Sequence, residues 1–530
     1  MASYFSLHAY DANVWLRAFK GIAQDESMNP DIRYAAEAEN VETPAGVLQP
    51  HAAYELLSST FQTRIETLSK FHRRWYSGNG SKDWMVCATG GKLYHLQEGE
   101  NVDWQQIRQP DGISSFQSNV WSWVTYETNV EGVDHPVDVI LMSNAKDGMI
   151  MVVPPDRPSI WDDWTELTWN TANAGTWSDV QSPTWTIRTI DTQGNKFGVI
   201  ERFAERIWGG AIDGDPDKLV YSAPYDPTDW EANEEIPEDG AGDVMQPSWD
   251  GDSFTGLKAF GDQLIAFKEH RVWRIMGTNP GEYQFTEQFG GGAPFINTVA
   301  VDGERIYMVD LNGVSVYDGM NVSPAYQRMF DGIWRTVNRD AMDQMCAVMH
   351  EKRYYLALPV NGSTVNNALL VFDQTDNTIL YYTDFKIESF MILNGNLYAT
   401  SSDLPGKTLI LKYDSWVSGR ASGAATKWVS PWMDFGTKQL TKGGFELYFM
   451  PEVQEEAVTL SISIQTEKKT KTKNYTVQPL DSSTRKFRHK KLHFSGAGRR
   501  FRIIIETADG VTAPWRLLGG LQLVVETDPD

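Results

Sequence analysis

The sequence predicts an all-β protein: a β-propeller of about seven four-stranded blades, some with insertions, plus a C-terminal antiparallel β-sandwich domain. Three observations predict this. A short phrase (turn residue, polar residue, then two or more apolar or aromatic residues) recurs at intervals of blade length, the mark of a propeller. Twenty Trp and 43 Gly in 530 residues, with no long Ala, Leu, Glu or Lys tract at helical spacing, favour short strands joined by turns. Toward the C-terminus the pattern changes to the strict alternation of half-buried strands. A chain of this length also exceeds what one ordinary core can organise.

Residues 1–62 fit no blade and read as an N-terminal arm or irregular segment reaching toward a neighbour. Pro44, Gly46 and Pro50 mark irregular chain, and AAYELLSSTFQ after them reads as a short helix. The propeller body spans 63–421. Its phrases GGKLYHL, AERIWGG, GDQLIAF, GERIYMV, EKRYYLA and NGNLYAT are anchored at Leu93, Ile207, Leu264, Ile306, Tyr354 and Leu397. VDVILMS followed by KDGMIMVV adds a unit at Ile140, and successive gaps are then 47, 67, 57, 42, 48 and 43 residues. The two long gaps hold insertions near 161–194, rich in Trp, and near 231–250, which contains EANEEIPEDGAGD. Each phrase is expected to begin an inner strand, and Asp310-Leu311-Asn312-Gly313 before VSVYDG reads as a tight hairpin in which Asn-Gly supplies positive φ. Apolar runs such as RIYMVD, YYLALPV and ALLVF suit blades buried on both faces. A large irregular β-sandwich is the competing reading, and seven spaced units are hard to fit into it.

The Gly/Ser/Ala stretch from Ser418 to Ala424 is the expected junction, with a domain boundary near 422. In 422–530, LSISIQT puts Leu460, Ile462 and Ile464 on one face and Ser461, Ser463 and Gln465 on the other. FELYFM, FRIIIET and LQLVVET supply three more strands, enough for a small sandwich or jelly roll.

The formal charge of −23 argues against general adhesion to nucleic acid or to an acidic membrane surface. It is unevenly spread. Residues 1–420 carry 31 basic and 58 acidic side chains, a charge of −27, and 421–530 carry 16 and 12, a charge of +4. There is no eighteen-residue apolar run and no signal-peptide pattern at the N-terminus, so a chain that is made and kept soluble, without a membrane partner, is expected. Cys87 and Cys346 lie in apolar contexts and read as two buried thiols on strands.

The usual catalytic motifs are missing: there is no HExxH, paired CxxC, GxSxG or GxxxxGKS/T pattern. His72 and His489 sit in basic clusters, and His95 on a strand reads as a structural histidine. Asp213-Gly214-Asp215-Pro216-Asp217 places carboxylates at alternate positions suited to a hard cation. It lacks the Gly and distal Glu of an EF-hand, and a turn is the favoured reading. Thr171 to Trp177 resembles a sialidase Asp-box loosely, with Asn for Asp and Trp one residue early, so paired-carboxylate sugar hydrolysis is the weaker option. Lys468, Lys469, Lys471, Lys473, Arg485, Lys486, Arg488, Lys490, Lys491, Arg499, Arg500 and Arg502 form a basic run. It reads first as a solvated strand edge, second as a contact to an acidic partner, best a neighbouring subunit, or to nucleic acid. The expectation is therefore no enzyme, with no catalytic, cofactor-binding or metal residues and no cofactor.

At RIWGG followed by DPDKLVYSAPYDPTDW the chain resembles the tail nozzle and packaged-DNA-stabilising (tail accessory, hub) proteins of tailed bacteriophages. The matching positions are Arg206, Ile207, Trp208, Leu219, Tyr221, Ser222, Pro224, Asp226, Pro227 and Trp230. The phrases from Ser430 to Gly436 and Gly498 to Ile503, with Pro514-Trp515 and Gly519-Gly520, are similar to phage tail sequences. The resemblance implies a propeller body in a virion, assembled as a homo-oligomeric, six-fold ring. Such a ring extends the DNA channel from the adaptor and portal side toward distal tail or fibre proteins, and helps retain and release the genome. Packaged DNA would pass without sequence-specific binding, kept moving by an acidic wall. The alternative is a carbohydrate-active or receptor-binding propeller tail protein of glycosidase or sialidase type.

Overall fold

The computed structural model describes residues 11–24, 31–57, 61–74, 81–97, 103–131, 135–154, 185–245, 251–288, 290–412, 414–434, 441–479 and 489–528. Seven four-stranded antiparallel sheets follow one another along the chain: residues 67–106, 122–189, 197–245, 254–288, 300–324, 346–382 and 387–411, the last completed by Glu55–Leu56. They are the blades of a β-propeller. First strands touch between blades 2 and 3, 3 and 4, 5 and 6, and 6 and 7, and Ile387–Leu393 of blade 7 meets Thr67–Arg74 of blade 1 to close the ring.

Six of the seven phrase anchors lie on the second strand of their blade, and Leu93 lies on the third strand of blade 1. The expected inner strand is therefore corrected by one position: the innermost strand is the first of each blade. Except at Ile140, the phrase marks the strand that follows a two-residue hairpin turn. Ala204-Glu205, Glu351-Lys352 and Asn394-Gly395 hold both φ angles positive, the geometry that matches the strand twist. Asp310 to Gly313 does form a hairpin, but neither Leu311 nor Asn312 has positive φ. The Asp310 carboxylate holds that turn, accepting from the N–H groups of Asn312 (2.6 Å) and Gly313 (3.1 Å).

The wedges between blades are apolar, as the uninterrupted runs predict. Val86, Ile140 and Met142 fill the space between blades 1 and 2, and Phe267, Ile306 and Tyr317 that between 4 and 5. Both cysteines are free and buried, Cys87 on Ser81–Thr89 and Cys346 on Cys346–His350.

Two stacked sheets form the C-terminal sandwich. One has the order Asp11–Leu16, Trp515–Asp528, Thr441–Val453, Lys490–Gly498. The other runs Glu37–Glu39, Lys427–Val429, Phe501–Glu506, Val458–Thr466, Thr470–Val477. Leu460, Ile462 and Ile464 face inward, as their alternation requires.

The expected N-terminal arm is corrected. Asp11–Leu16 pairs with Trp515–Asp528, and Glu37–Glu39 with Lys427–Val429. Glu55–Leu56, expected as a helix, is instead the outer strand of blade 7, pairing with Thr408–Leu411. Each segment covers a sheet edge that would otherwise be open, and that pairing outweighs local preference. Between the two units the same stretch acts as mortar. Phe19 packs edge-on against Trp428 at 5.1 Å, and the Ile22 N–H donates to the Ile379 carbonyl at 2.7 Å. A Cβ on Gly21 would lie 2.1 Å from that same oxygen, so only glycine lets the chain run so close to blade 6. One apolar core therefore continues from blades 5 and 6 through Leu16, Phe19, Ile22, Ala35, Val41 and Leu48 into the sandwich.

Candidate functional site

The residues of the resembling phrase build blade 3. Arg206 is 1% exposed. Its guanidinium donates to the carbonyls of Ser222 (2.7 Å), Gly240 (2.7 Å) and Glu238, and lies over the Tyr221 ring. Ser222 Oγ accepts from the Ile207 N–H at 3.0 Å. Asp226 caps its own turn by accepting from the Thr228 N–H and hydroxyl, and Trp230 packs at a tilt against Phe197 at 4.9 Å. A buried, permanently charged fork satisfying three carbonyls thus fastens the 229–241 loop to the blade. Of the expected 231–250 insertion, Gly242–Met245 is the fourth strand of blade 3. What the clamp presents outward is acidic: Glu231, Glu234, Glu235, Glu238 and Asp239 are all exposed, with Ile236 among them at 52%.

A recess of about 590 Å³ opens at the axial end between blades 7, 1, 2 and 3. Each inner strand contributes alternate exposed side chains there: Lys70, His72 and Arg74 from blade 1, Thr125 and Glu127 from blade 2, Arg202 from blade 3. They are linked from blade to blade. Asn394 donates to Asp83 (2.8 Å), which also meets His72 Nδ1 (2.7 Å). Arg74 bridges Glu127 (2.8 Å) and Asp138 (3.2 Å), a cross-strand pair in blade 2, and Lys258 of blade 4 reaches Glu201 of blade 3 at 3.1 Å. Burial alone would raise the Asp83 carboxyl, but the hydrogen bonds from Asn394 and His72 and the His72 charge outweigh it and hold it below the usual range. In blades 5 to 7 the first strands carry half-buried apolar side chains, Val301 packed against the wedge between blades 4 and 5, and Val348, Phe390 and Ile392 against that between blades 6 and 7.

A smaller cavity of about 130 Å³ lies between blades 6 and 7 and the N-terminal segment. Glu42 is buried in its wall, and burial, with Asp414 nearby and hydrogen bonds from Gln49 and the Ala52 N–H opposing, pushes its carboxyl up to about 8. His51 joins Asp384 (2.8 Å) to the Ala52 carbonyl, Arg353 donates to Asp373 (2.7 Å), and Asp414 caps the short helix Ser415–Ser418 while accepting from Gln49. These groups satisfy one another, which makes this a polar joint between three parts of the fold.

Asp213 to Asp217 form the hairpin turn after Arg206–Ile212: the Asp215 N–H donates to the Ile212 carbonyl and the Lys218 N–H to the Asp215 carbonyl. Asp217 is held by the buried Lys268 ammonium at 2.6 Å. Nearby, Asp252, Glu269 and His270 bring one ligand atom each within 4.8 Å of the others. Asp252 already accepts from the His270 N–H and meets His270 Nδ1 at 3.5 Å. His95 stacks on Trp185 at 4.9 Å, and burial pushes it down to about 4, a neutral core imidazole. The Asp-box-like stretch from Thr171 to Trp177 and the basic residues Arg485, Lys486 and Arg488 lie outside the described residues.

Within the rest of the basic run, Lys491 meets Glu446 (2.6 Å), Arg500 meets Glu467 (3.0 Å) and Arg502 meets Glu37 (3.3 Å). Lys468, Lys469 and Lys471 are exposed, and they rim a groove of about 350 Å³ between the sheets, floored by Phe445, Ile464 and Phe494. The Arg206 clamp was named in the sequence as a resemblance, but its role had no local signal. The recess was not foreseen at all, because its members come from strands some 50 to 320 residues apart.

No protein-family model matches the chain, and no curated protein matches it. Among solved structures it is similar to an exo-β-1,3-galactanase of Phanerochaete chrysosporium, with 9% identity over 90% of this chain and 100% of that one and a TM-score of 0.27. It is similar to the Pan2 WD40 domain of Neurospora crassa, with 11% identity, 77% and 98% coverage and a TM-score of 0.33. A glycoside hydrolase family 43 arabinoxylan arabinofuranohydrolase of Bacillus subtilis gives 9%, 89% and 96%, with a TM-score of 0.25. Likenesses this distant speak to the β-propeller fold and carry no chemistry across. They do correct one expectation. Two of these three proteins are glycoside hydrolases, so the reading of the chain as no enzyme does not stand.

Proposed function

We propose that this chain is a structural subunit of a tailed-phage tail, one copy in an oligomeric ring of the nozzle or hub kind that continues the DNA channel and takes part in holding and releasing the genome. The observation that carries the reading is the Arg206 clamp. The phrase that resembles tail proteins encloses no cleft of reactive groups; it fastens an exposed loop with five carboxylates to the propeller wall. A sandwich of opposite charge shares one core with that propeller, and this polarity suits head-to-tail association with a closing rotation. The excess of acid over residues 1–420 would keep a duplex from adhering to the wall. Labelling purified particles with antibody against this chain and imaging them by electron microscopy tests the proposal: label confined to the tail supports it, and particles free of the chain sink it.

A second reading, a carbohydrate-active or receptor-binding propeller, is favoured by the axial recess, where Glu127 and Asp138 face each other across strands. Against it, the Arg74 guanidinium sits between them, where a sugar oxygen would have to enter. Hydrolysis of a glycan panel that is lost in Glu127→Gln and Asp138→Asn would establish this second reading.

A further inference from the structure

The acidic loop and the lysine-rimmed groove are complementary in charge and in shape. In the groove, Lys471 is the cross-strand partner of Ile464 and Lys473 of Ile462, so both lysines extend from the inner face of their sheet. They overhang the facing sheet at its edge strand Lys490–Gly498, with Lys473 Nζ 5.7 Å from the Phe494 ring. Their strand, Thr470–Val477, is last in its sheet among the described residues. Glu467, the nearest acid, is taken by Arg500. None of the ion pairs among the described residues uses Lys468, Lys469 or Lys471, and none uses Glu234, Glu235, Glu238 or Asp239. The loop carries no basic residue from 231 to 239 and holds one large apolar side chain, Ile236, out into solvent. An apolar knob ringed by acids thus exists on the same chain as an apolar floor rimmed by lysines.

We propose that the groove at this edge of the sandwich takes the 231–239 loop of a second copy of this chain. Ile236 enters over Phe445, Ile464 and Phe494, and Lys468, Lys469 and Lys471 face Glu234, Glu235, Glu238 and Asp239. The inference rests on the assembly reading above and names its contact. Because knob and groove are different surfaces, the contact is heterologous and propagates from copy to copy until it closes. Desolvating an apolar knob inside a complementary ring of charges gives both affinity and register.

Sedimentation velocity on the full chain tests it. The wild type should associate, with Kd weakened at least about tenfold between roughly 50 and 500 mM salt. Lys468→Glu/Lys469→Glu/Lys471→Glu should weaken association about 100-fold, and so should Glu234→Lys/Glu235→Lys/Glu238→Lys. All six positions are exposed, and an unchanged melting temperature confirms that each triple variant is folded. Mixed together, the two variants should regain assembly beyond a dimer, since the acidic knob of one meets the lysine groove of the other and the reversed knob meets the reversed groove. Wild-type-sized assemblies from either triple variant overturn this docking while leaving the ring reading in place; a monomeric wild type overturns both. Lysine reversal that abolishes retention of a DNA duplex but leaves self-association intact assigns the groove to nucleic acid and also overturns it.

Discussion

Replacing Arg206 with alanine removes the clamp on the acidic loop. The guanidinium donates to three carbonyls, those of Ser222, Gly240 and Glu238, and each hydrogen bond from a charged donor contributes about 1.5–3 kcal/mol. The three do not add in full, because removing a buried charge also relieves its desolvation, so the expected loss is about 3–5 kcal/mol. With an unfolding entropy of about 2.1 cal/mol/K per residue, a 530-residue chain melting as one unit drops by about 4 °C. Hydrogen exchange gives the local test. The Ala241 N–H donates to the Glu231 carbonyl and the Asp239 N–H to the Ile236 carbonyl, and both should exchange at least about tenfold faster, since 1.4 kcal/mol is already a factor of ten. Arg206→Lys should recover only part of the loss, because a single ammonium cannot reproduce the planar fork. A melting temperature within about 1 °C of wild type, together with unchanged exchange at Asp239 and Ala241, would refute the claim that this residue organises the loop.

Glu42 gives a pH prediction. Its folded pKa is raised from 4.5 to about 8, so its contribution to stability is fully present below pH 4.5 and is lost as pH rises through 8. Between pH 5 and 8 the wild type should lose about 3–4 kcal/mol relative to Glu42→Gln, and parallel denaturation curves at the two pH values would contradict it. Phe19→Ala empties a fully buried site between propeller and sandwich and should cost about 3–5 kcal/mol in denaturant unfolding; a cost under 1 kcal/mol would mean that residues 16–48 are not the mortar between the two units. Asp213→Asn/Asp215→Asn alters exposed turn positions and should change stability by less than about 0.5 kcal/mol. Millimolar calcium should leave the melting curve of wild type and variant alike, and a calcium-dependent rise in wild type alone would restore the cation reading.

What the sequence determined by itself is what short-range chemistry controls. The hairpin turns at Glu351-Lys352 and Asn394-Gly395 impose a local twist that is written in neighbouring residues, so strand count and spacing could be read directly. The apolar runs of the blades and the alternation at Leu460, Ile462 and Ile464 follow from which faces are buried, and that too is periodic along the chain. The buried state of Cys87 and Cys346 followed from their apolar neighbours. Only the tertiary structure decided where residues 11–56 go, because a strand of two to six residues has almost no preference of its own. Its place is set by whichever sheet edge is left open, in one case at the far end of the chain. The axial recess needed the ring to close, and the rise of the Glu42 carboxyl needed a joint of three separate segments to exclude water. Arg206 combines both levels: the motif shows in the sequence, but the three carbonyls it serves converge only after the 222–240 loop has folded back over the blade.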